Sequence, residues 1–81
     1  MKTEYHKNFL KDLDKAKKTS LIPRIKYLMN IVKTNPFEEY PPFKKLTNGY
    51  YSRRINDQHR LVYDVYKDKV VFLRCWGHYD D

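Results

Sequence analysis

Arg53, Arg54, His59, Arg60 and Arg74 fall within three short strand-like runs, and a His78-Tyr79 pair follows almost at the last residue. These residue types suit one kind of chemistry. An arginine fork matches the oxygens of a phosphate and stays charged. An imidazole gives or takes a proton near neutral pH. Together they can act on an RNA phosphodiester. The ribose 2′-hydroxyl attacks the adjacent phosphorus in line, cations hold the charge that builds on the phosphate, and an acid protonates the leaving 5′-oxygen. That route needs no metal and no cofactor. The three histidines are scattered and lack zinc-type spacing, so no metal site is expected. With only two glycines the chain has no Gly-rich phosphate loop, which argues against nucleoside-triphosphate chemistry.

Each residue also has a plainer reading. Arg54 can pair with Asp57 or Asp64 at the surface. His59 and His6 read as structural or surface groups. Cys75 sits inside an apolar run and reads as a small buried hydrophobe rather than a nucleophile. A single cysteine forms no internal disulfide, which fits a reducing compartment.

Eighty-one residues suit one domain, 1–81. A domain of that size buries only about 60% of its unfolded surface, so a shallow cleft is expected rather than a deep pocket. Seventeen Lys and Arg against ten Asp and Glu give a net charge of +7, which attracts polyanions and acidic proteins alike. Eight tyrosines add stacking surface. No apolar stretch approaches the length of a membrane span, and the opening residues MKTEYHKNF lack a signal-peptide core. A cytoplasmic protein with no membrane partner is the expectation.

The elements that must position these groups follow from spacing. Lys2 to His6 reads as an edge strand. Phe9, Leu10, Leu13 and Ala16 repeat at helical spacing and predict a helix over Lys7 to Lys18. Ser20 is the expected cap of a second helix carrying Leu21, Ile22, Ile25, Leu28, Met29 and Val32, which Asn35-Pro36 ends. A link of one or two residues would make the pair an antiparallel hairpin. Pro41 and Pro42 mark Phe37 to Asn48 as a loop. Tyr50 to Ile55, His59 to Tyr66 and Val70 to Trp76 read as three sequential strands, the last one central. The result is a two-layer α+β domain with the hairpin on one sheet face and function on the other. Leu61, Tyr63 and Val65 point toward the helices, so Arg60 points away from them; Arg54 and Arg74 can join it if the register allows.

The run Gly49-Tyr50-Tyr51-Ser52-Arg53-Arg54-Ile55-Asn56, then Gln58-His59-Arg60-Leu61-Val62-Tyr63, then Cys75-Trp76-Gly77-His78-Tyr79 resembles the YoeB/Txe family of type II toxin–antitoxin toxins, within the RelE superfamily. About 30 residues carry the likeness, and the element order agrees over the whole chain. The resemblance implies a RelE-like fold: an N-terminal strand, a helical hairpin, and a three-stranded antiparallel meander completing a four-stranded sheet. It implies an endoribonuclease that enters the ribosomal A site, cuts mRNA there and stops translation. An acidic antitoxin would cover its basic face, and the oligomeric state, monomer or homodimer, stays open. By that resemblance Arg60 stabilises charge on the scissile phosphate, His78 is the general acid and Tyr79 positions substrate. Arg54 would hold phosphate or message. Arg53 and Lys45 would contact ribosomal RNA or the message backbone less directly.

One position departs from the family pattern. Relatives carry a glutamate as general base in a segment like F-E-K-L before the sheet, and here that segment is Phe43-Lys44-Lys45-Leu46, with Lys44 at the glutamate position. Three alternatives stay open: Glu38 or Glu39 reaches in, Lys44 itself acts, or base catalysis is weak and the ribosome supplies part of the chemistry. Two other functions also compete. One is a ParE-like toxin that binds DNA gyrase without enzymatic action, against which His78-Tyr79 argues. The other is an RNA-binding module whose arginines only grip phosphates, which the missing glutamate favours.

Overall fold

A computed structural model describes residues 1–77. His78 and Tyr79, the expected acid and its neighbour, lie outside the described residues.

The order of elements is β1 (Lys2–Tyr5), α1 (Lys7–Ala16), α2 (Ile22–Thr34), β2 (Phe43–Lys45), β3 (Tyr51–Arg54), β4 (Arg60–Tyr66) and β5 (Lys69–Arg74). The strands form one sheet in the order β1-β5-β4-β3-β2. β1 runs parallel to β5, and every other pair is antiparallel. β5 is therefore central, as its two apolar faces predict. The sheet has five strands where four were expected. The added one, β2, begins at the residue after Pro42 and borders only β3. Prolines weaken a strand by removing a donor, but just ahead of an edge strand they remove none the ladder needs.

α1 starts where His6 Nδ1 accepts from the Asn8 amide at 3.1 Å. The second helix is not capped by Ser20. The Thr19 hydroxyl donates to the Ala16 carbonyl at 2.7 Å and accepts from the Leu21 amide at 3.1 Å, closing α1 and opening α2. The connection therefore spans residues 17–21, longer than the residue or two expected.

Both helices bury their stripes on the same sheet face. Phe9, Ala16, Ile25, Leu28, Met29 and Val32 pack with Leu61, Tyr63, Val70, Phe72 and Cys75. Burial of each large apolar side chain contributes roughly 1.5–3 kcal/mol. Phe9 and Phe72 meet with ring centroids 5.4 Å apart. Asp12 is the polar exception in α1. Its Oδ2 accepts from Arg74 Nε at 2.7 Å and from the Cys75 amide at 3.1 Å, and its Oδ1 accepts from Arg74 Nη2 at 3.2 Å. That buried carboxylate ties α1 to the end of β5. Arg74 is therefore engaged by Asp12 of α1 and does not line the cleft with Arg60, a correction to the sequence reading that the Asp12 contact decides.

Candidate active site

Alternation along three strands sorts the basic residues. β3 and β4 pair Arg54 with Arg60, Arg53 with Leu61 and Ser52 with Val62. β2 and β3 pair Lys44 with Ser52 and Phe43 with Arg53. Neighbours along a strand face opposite ways, and paired residues share a face. Lys44, Ser52, Arg54 and Arg60 thus lie on the face away from the helices. They line a cleft of about 370 Å³ together with Arg24, Pro41, Pro42 and Phe43. Four of these residues are cationic and none is acidic.

The cations differ in how they are held. Arg54 forms an ion pair with Asp57 in the following turn, with side chains 63% and 88% exposed. A pair that open to solvent contributes only about 0–1 kcal/mol, so a phosphate can displace the carboxylate. The side chains of Lys44 and Arg60 have no hydrogen bond or ion pair among the described residues. A cluster of cations lined by no carboxylate suits a phosphate, whose oxygens match a guanidinium fork.

Arg53 does not belong to it. Read from sequence as an RNA contact, it is fully buried. Its Nε donates to the Tyr63 hydroxyl at 3.1 Å, and its Nη2 donates to the carbonyls of Pro36 (3.1 Å) and Glu38 (2.9 Å). Its Nη1 donates to the Pro41 carbonyl. The Tyr63 hydroxyl in turn donates to the Pro36 carbonyl at 2.8 Å. The guanidinium carbon lies 5.2 Å from the Phe43 ring centre and 6.0 Å from that of Tyr63, so ring faces compensate part of the lost hydration. Burial pushes the Tyr63 phenol up, with Arg53 opposing it. Arg53 thus fixes the loop at Pro36, Glu38 and Pro41, and that loop forms the cleft wall. Lys45 is also set apart. It pairs with Tyr51 on the helix side, its Nζ 5.9 Å from the Tyr51 ring, and it does not line the cleft.

The turn at Gly77 is tied to the start of β4. The Arg60 amide donates to the Gly77 carbonyl at 3.1 Å, and the Gly77 amide donates to His59 Nδ1 at 2.9 Å. The His59 ring stacks on Trp76 at 3.9 Å. Gly77 has φ of 110°, a conformation that favours glycine. His59, read as structural, is the clamp on this turn.

Sequence reasoning missed Arg24 and Ser52. Arg24 lies outside the apolar stripe of the second helix, and only packing brings it to the cleft. Ser52 stood in plain view between Tyr51 and Arg53, and strand parity with Arg54 was a usable signal. Neither Glu38 nor Glu39 lines the cleft; Glu38 lines a separate groove along α2 with Tyr27, Ile31 and Asn35. The Cys75 thiol is buried and pushed up to about 12, by burial first and then by the Asp12 carboxylate, against the influence of Arg74. It is no nucleophile.

Residues 3–79 match the model of the YoeB-like toxin of the bacterial type II toxin-antitoxin system. The chain belongs to the YoeB-like toxin family. Toxin YoeB of Synechocystis sp. is 37% identical over 62 residues, covering 73% of this chain and 72% of that relative. The YoeB/ParE toxin from Agrobacterium tumefaciens superposes with a TM-score of 0.87 at 27% identity, over 98% of this chain and all of its own. YoeB of Staphylococcus aureus has been solved in a heterotetrameric complex with YefM (TM-score 0.79, 29% identity) and as a dimer (TM-score 0.82, 27% identity), each covering 98% of both chains. This YoeB-like toxin therefore keeps the family fold with a lysine at the position where the resemblance leads one to expect a glutamate. No described helix is long and apolar enough to cross a membrane.

Proposed function

We propose that this YoeB-like toxin is a metal-independent endoribonuclease that cuts mRNA in the ribosomal A site and is neutralised by a cognate acidic antitoxin. The observation that carries the reading is the cleft itself: Lys44, Arg54 and Arg60 line one cleft with no acidic residue in its described lining, and the Arg60 amide is bonded to the carbonyl of Gly77, the residue before His78.

In this mechanism the 2′-hydroxyl attacks the adjacent phosphorus. Arg60 and Arg54 hold the charge that grows on the phosphate oxygens. The bond to the 5′-oxygen breaks, and His78 gives that oxygen its proton. The products are a 2′,3′-cyclic phosphate and a 5′-hydroxyl. Because no carboxylate lines the cleft among the described residues, base catalysis is weak, solvent takes the 2′-hydroxyl proton, and the ribosome's hold on the message supplies the in-line orientation. Tyr79 positions the substrate beside His78. Arg53 acts only through the cleft wall.

The test is a cell-free translation reaction with 5′-end mapping of the message. Codon-phased cuts that disappear with His78→Ala and Arg60→Ala are expected. An intact message in a reaction whose translation nevertheless stops would overturn the reading, and inhibition of gyrase supercoiling in its place would favour the ParE-like alternative.

A further inference from the structure

Two residues in the cleft are unused by that chemistry. Ser52 is 1% exposed, and its Oγ has no hydrogen-bond partner among the described residues. Buried hydroxyls are nearly always paired, so a ligand oxygen is the natural partner for this one. Arg24 stands in the first turn of α2 with its guanidinium carbon 5.4 Å from the Tyr27 ring centre, and it lines the same cleft. The Tyr27 face holds the guanidinium without neutralising it. Lys44, directly opposite Ser52 in the ladder, is the third member.

We propose that Arg24, Ser52 and Lys44 form a second phosphate subsite, which takes the 5′-phosphate of the nucleotide whose 2′-hydroxyl attacks. Strand spacing separates it from the scissile centre. Lys44 is two strands across and two residues along from Arg60, so their backbones lie on the order of 12 Å apart. One phosphate cannot fill that span, whereas two successive phosphates of a single strand can. The direction rests on the nuclease reading. His78 follows Gly77, which is bonded to the Arg60 backbone, and on that reading it protonates the leaving 5′-oxygen, so the Arg60 end of the cleft faces downstream nucleotides and the Lys44 end faces upstream ones. Arg24 and Lys44 supply charge, and the Ser52 hydroxyl donates to a phosphate oxygen.

The test uses the isolated toxin and a 2′-O-methyl dinucleotide, which cannot be cut because the attacking hydroxyl is blocked. The probe is prepared with no terminal phosphate, with a 5′-phosphate, and with a 3′-phosphate, and dissociation constants are read by NMR titration. The 5′-phosphate should tighten binding about tenfold, and the 3′-phosphate less than threefold. In Arg24→Gln and in Ser52→Ala the advantage of the 5′ over the 3′ form should fall below twofold. Lys11→Gln, the same charge loss on exposed α1, should retain it. Arg24 is exposed, so its variant keeps the test valid even if Ser52→Ala proves unstable. Equal gains from the two phosphates, a 3′ preference, or a 5′ advantage that survives both variants would overturn the proposal. These readouts need no cleavage, so failure of the nuclease reading would show separately, as an intact message in the translation reaction.

Discussion

Arg53 Nε donates to the Tyr63 hydroxyl at 3.1 Å inside the core, while Arg54, the next residue, lies in the cleft on the opposite sheet face. Two adjacent arginines thus have unrelated duties. One is a structural cation that organises a loop from below, and the other holds only a solvent-exposed partner, Asp57, and lines the cleft from above.

The structural duty has a cost when removed. Arg53→Met would leave the Pro36, Glu38 and Pro41 carbonyls without their donor. Hydrogen bonds from a charged donor contribute about 1.5–3 kcal/mol each, and orphaned buried acceptors add a penalty. We expect a loss of about 3 kcal/mol or more, against a total of about 4–12 kcal/mol for a chain of this length. Urea unfolding measures it. A variant within about 0.5 kcal/mol of the parent would show that the network contributes little.

Arg60 and Lys44 should fail in different ways. Arg60→Ala should lower the maximal cleavage rate by about 10²–10³, as expected when a donor to transition-state charge is lost. Lys44→Ala should instead raise the half-saturating concentration of ribosome-bound message about tenfold with little change in maximal rate, because it holds phosphate equally before and during reaction. Lys44→Glu adds a base where none lines the cleft; binding should weaken further while the maximal rate rises about tenfold. Single-turnover cleavage across message concentrations separates the two parameters. A lower maximal rate for Lys44→Glu would argue against weak base catalysis in the parent.

His59 sits outside the cleft lining yet holds Gly77 through its Nδ1 and stacks on Trp76. His59→Ala should release the turn at Gly77, the residue before the proposed acid His78. A shift of about 1 Å in a reacting group can cost about 10²-fold in rate. The maximal rate should drop on that scale while message binding holds. Equal loss in both parameters would instead mark a general folding defect.

Alkaline stability should depend on Cys75. Its folded pKa, about 12, lies above the ordinary 9.0. Below pH 9 the thiol is neutral in both states and the full stability is present. Above pH 9 only the unfolded chain ionises, so stability falls by about 1.4 kcal/mol per pH unit up to about pH 12. Between pH 8 and 10.5, Cys75→Ala should therefore lose less stability than the parent. Parallel losses in the two proteins, followed by urea unfolding at each pH, would show that other groups govern the decline.

The proposed antitoxin interface should be salt-sensitive. A basic cleft covered by an acidic partner associates through charges that a Debye length of about 8 Å screens at physiological ionic strength. Raising salt from 50 to 500 mM should weaken binding to a cognate antitoxin at least tenfold, measured by titration calorimetry. An unchanged affinity would point to an apolar interface.

Much of this architecture was legible in the residues. Apolar spacing located both helices, strand-like runs gave β1, β3, β4 and β5, and the SRRIN…HRLVY pattern pointed to the family. β2 was not legible, because three residues after two prolines carry too little periodicity to distinguish a strand from a loop. Facing also escaped a local reading. Arg53, Arg54, Lys44, Lys45 and Arg74 all look like solvent cations one residue at a time, since charge gives no direction. Residue types and their order fixed the inventory of arginines and the chemistry open to them. Which of them meet in the cleft was decided only by inter-strand register and helix packing, because a strand turns successive side chains to opposite faces and a buried carboxylate such as Asp12 can claim a guanidinium from 62 residues away.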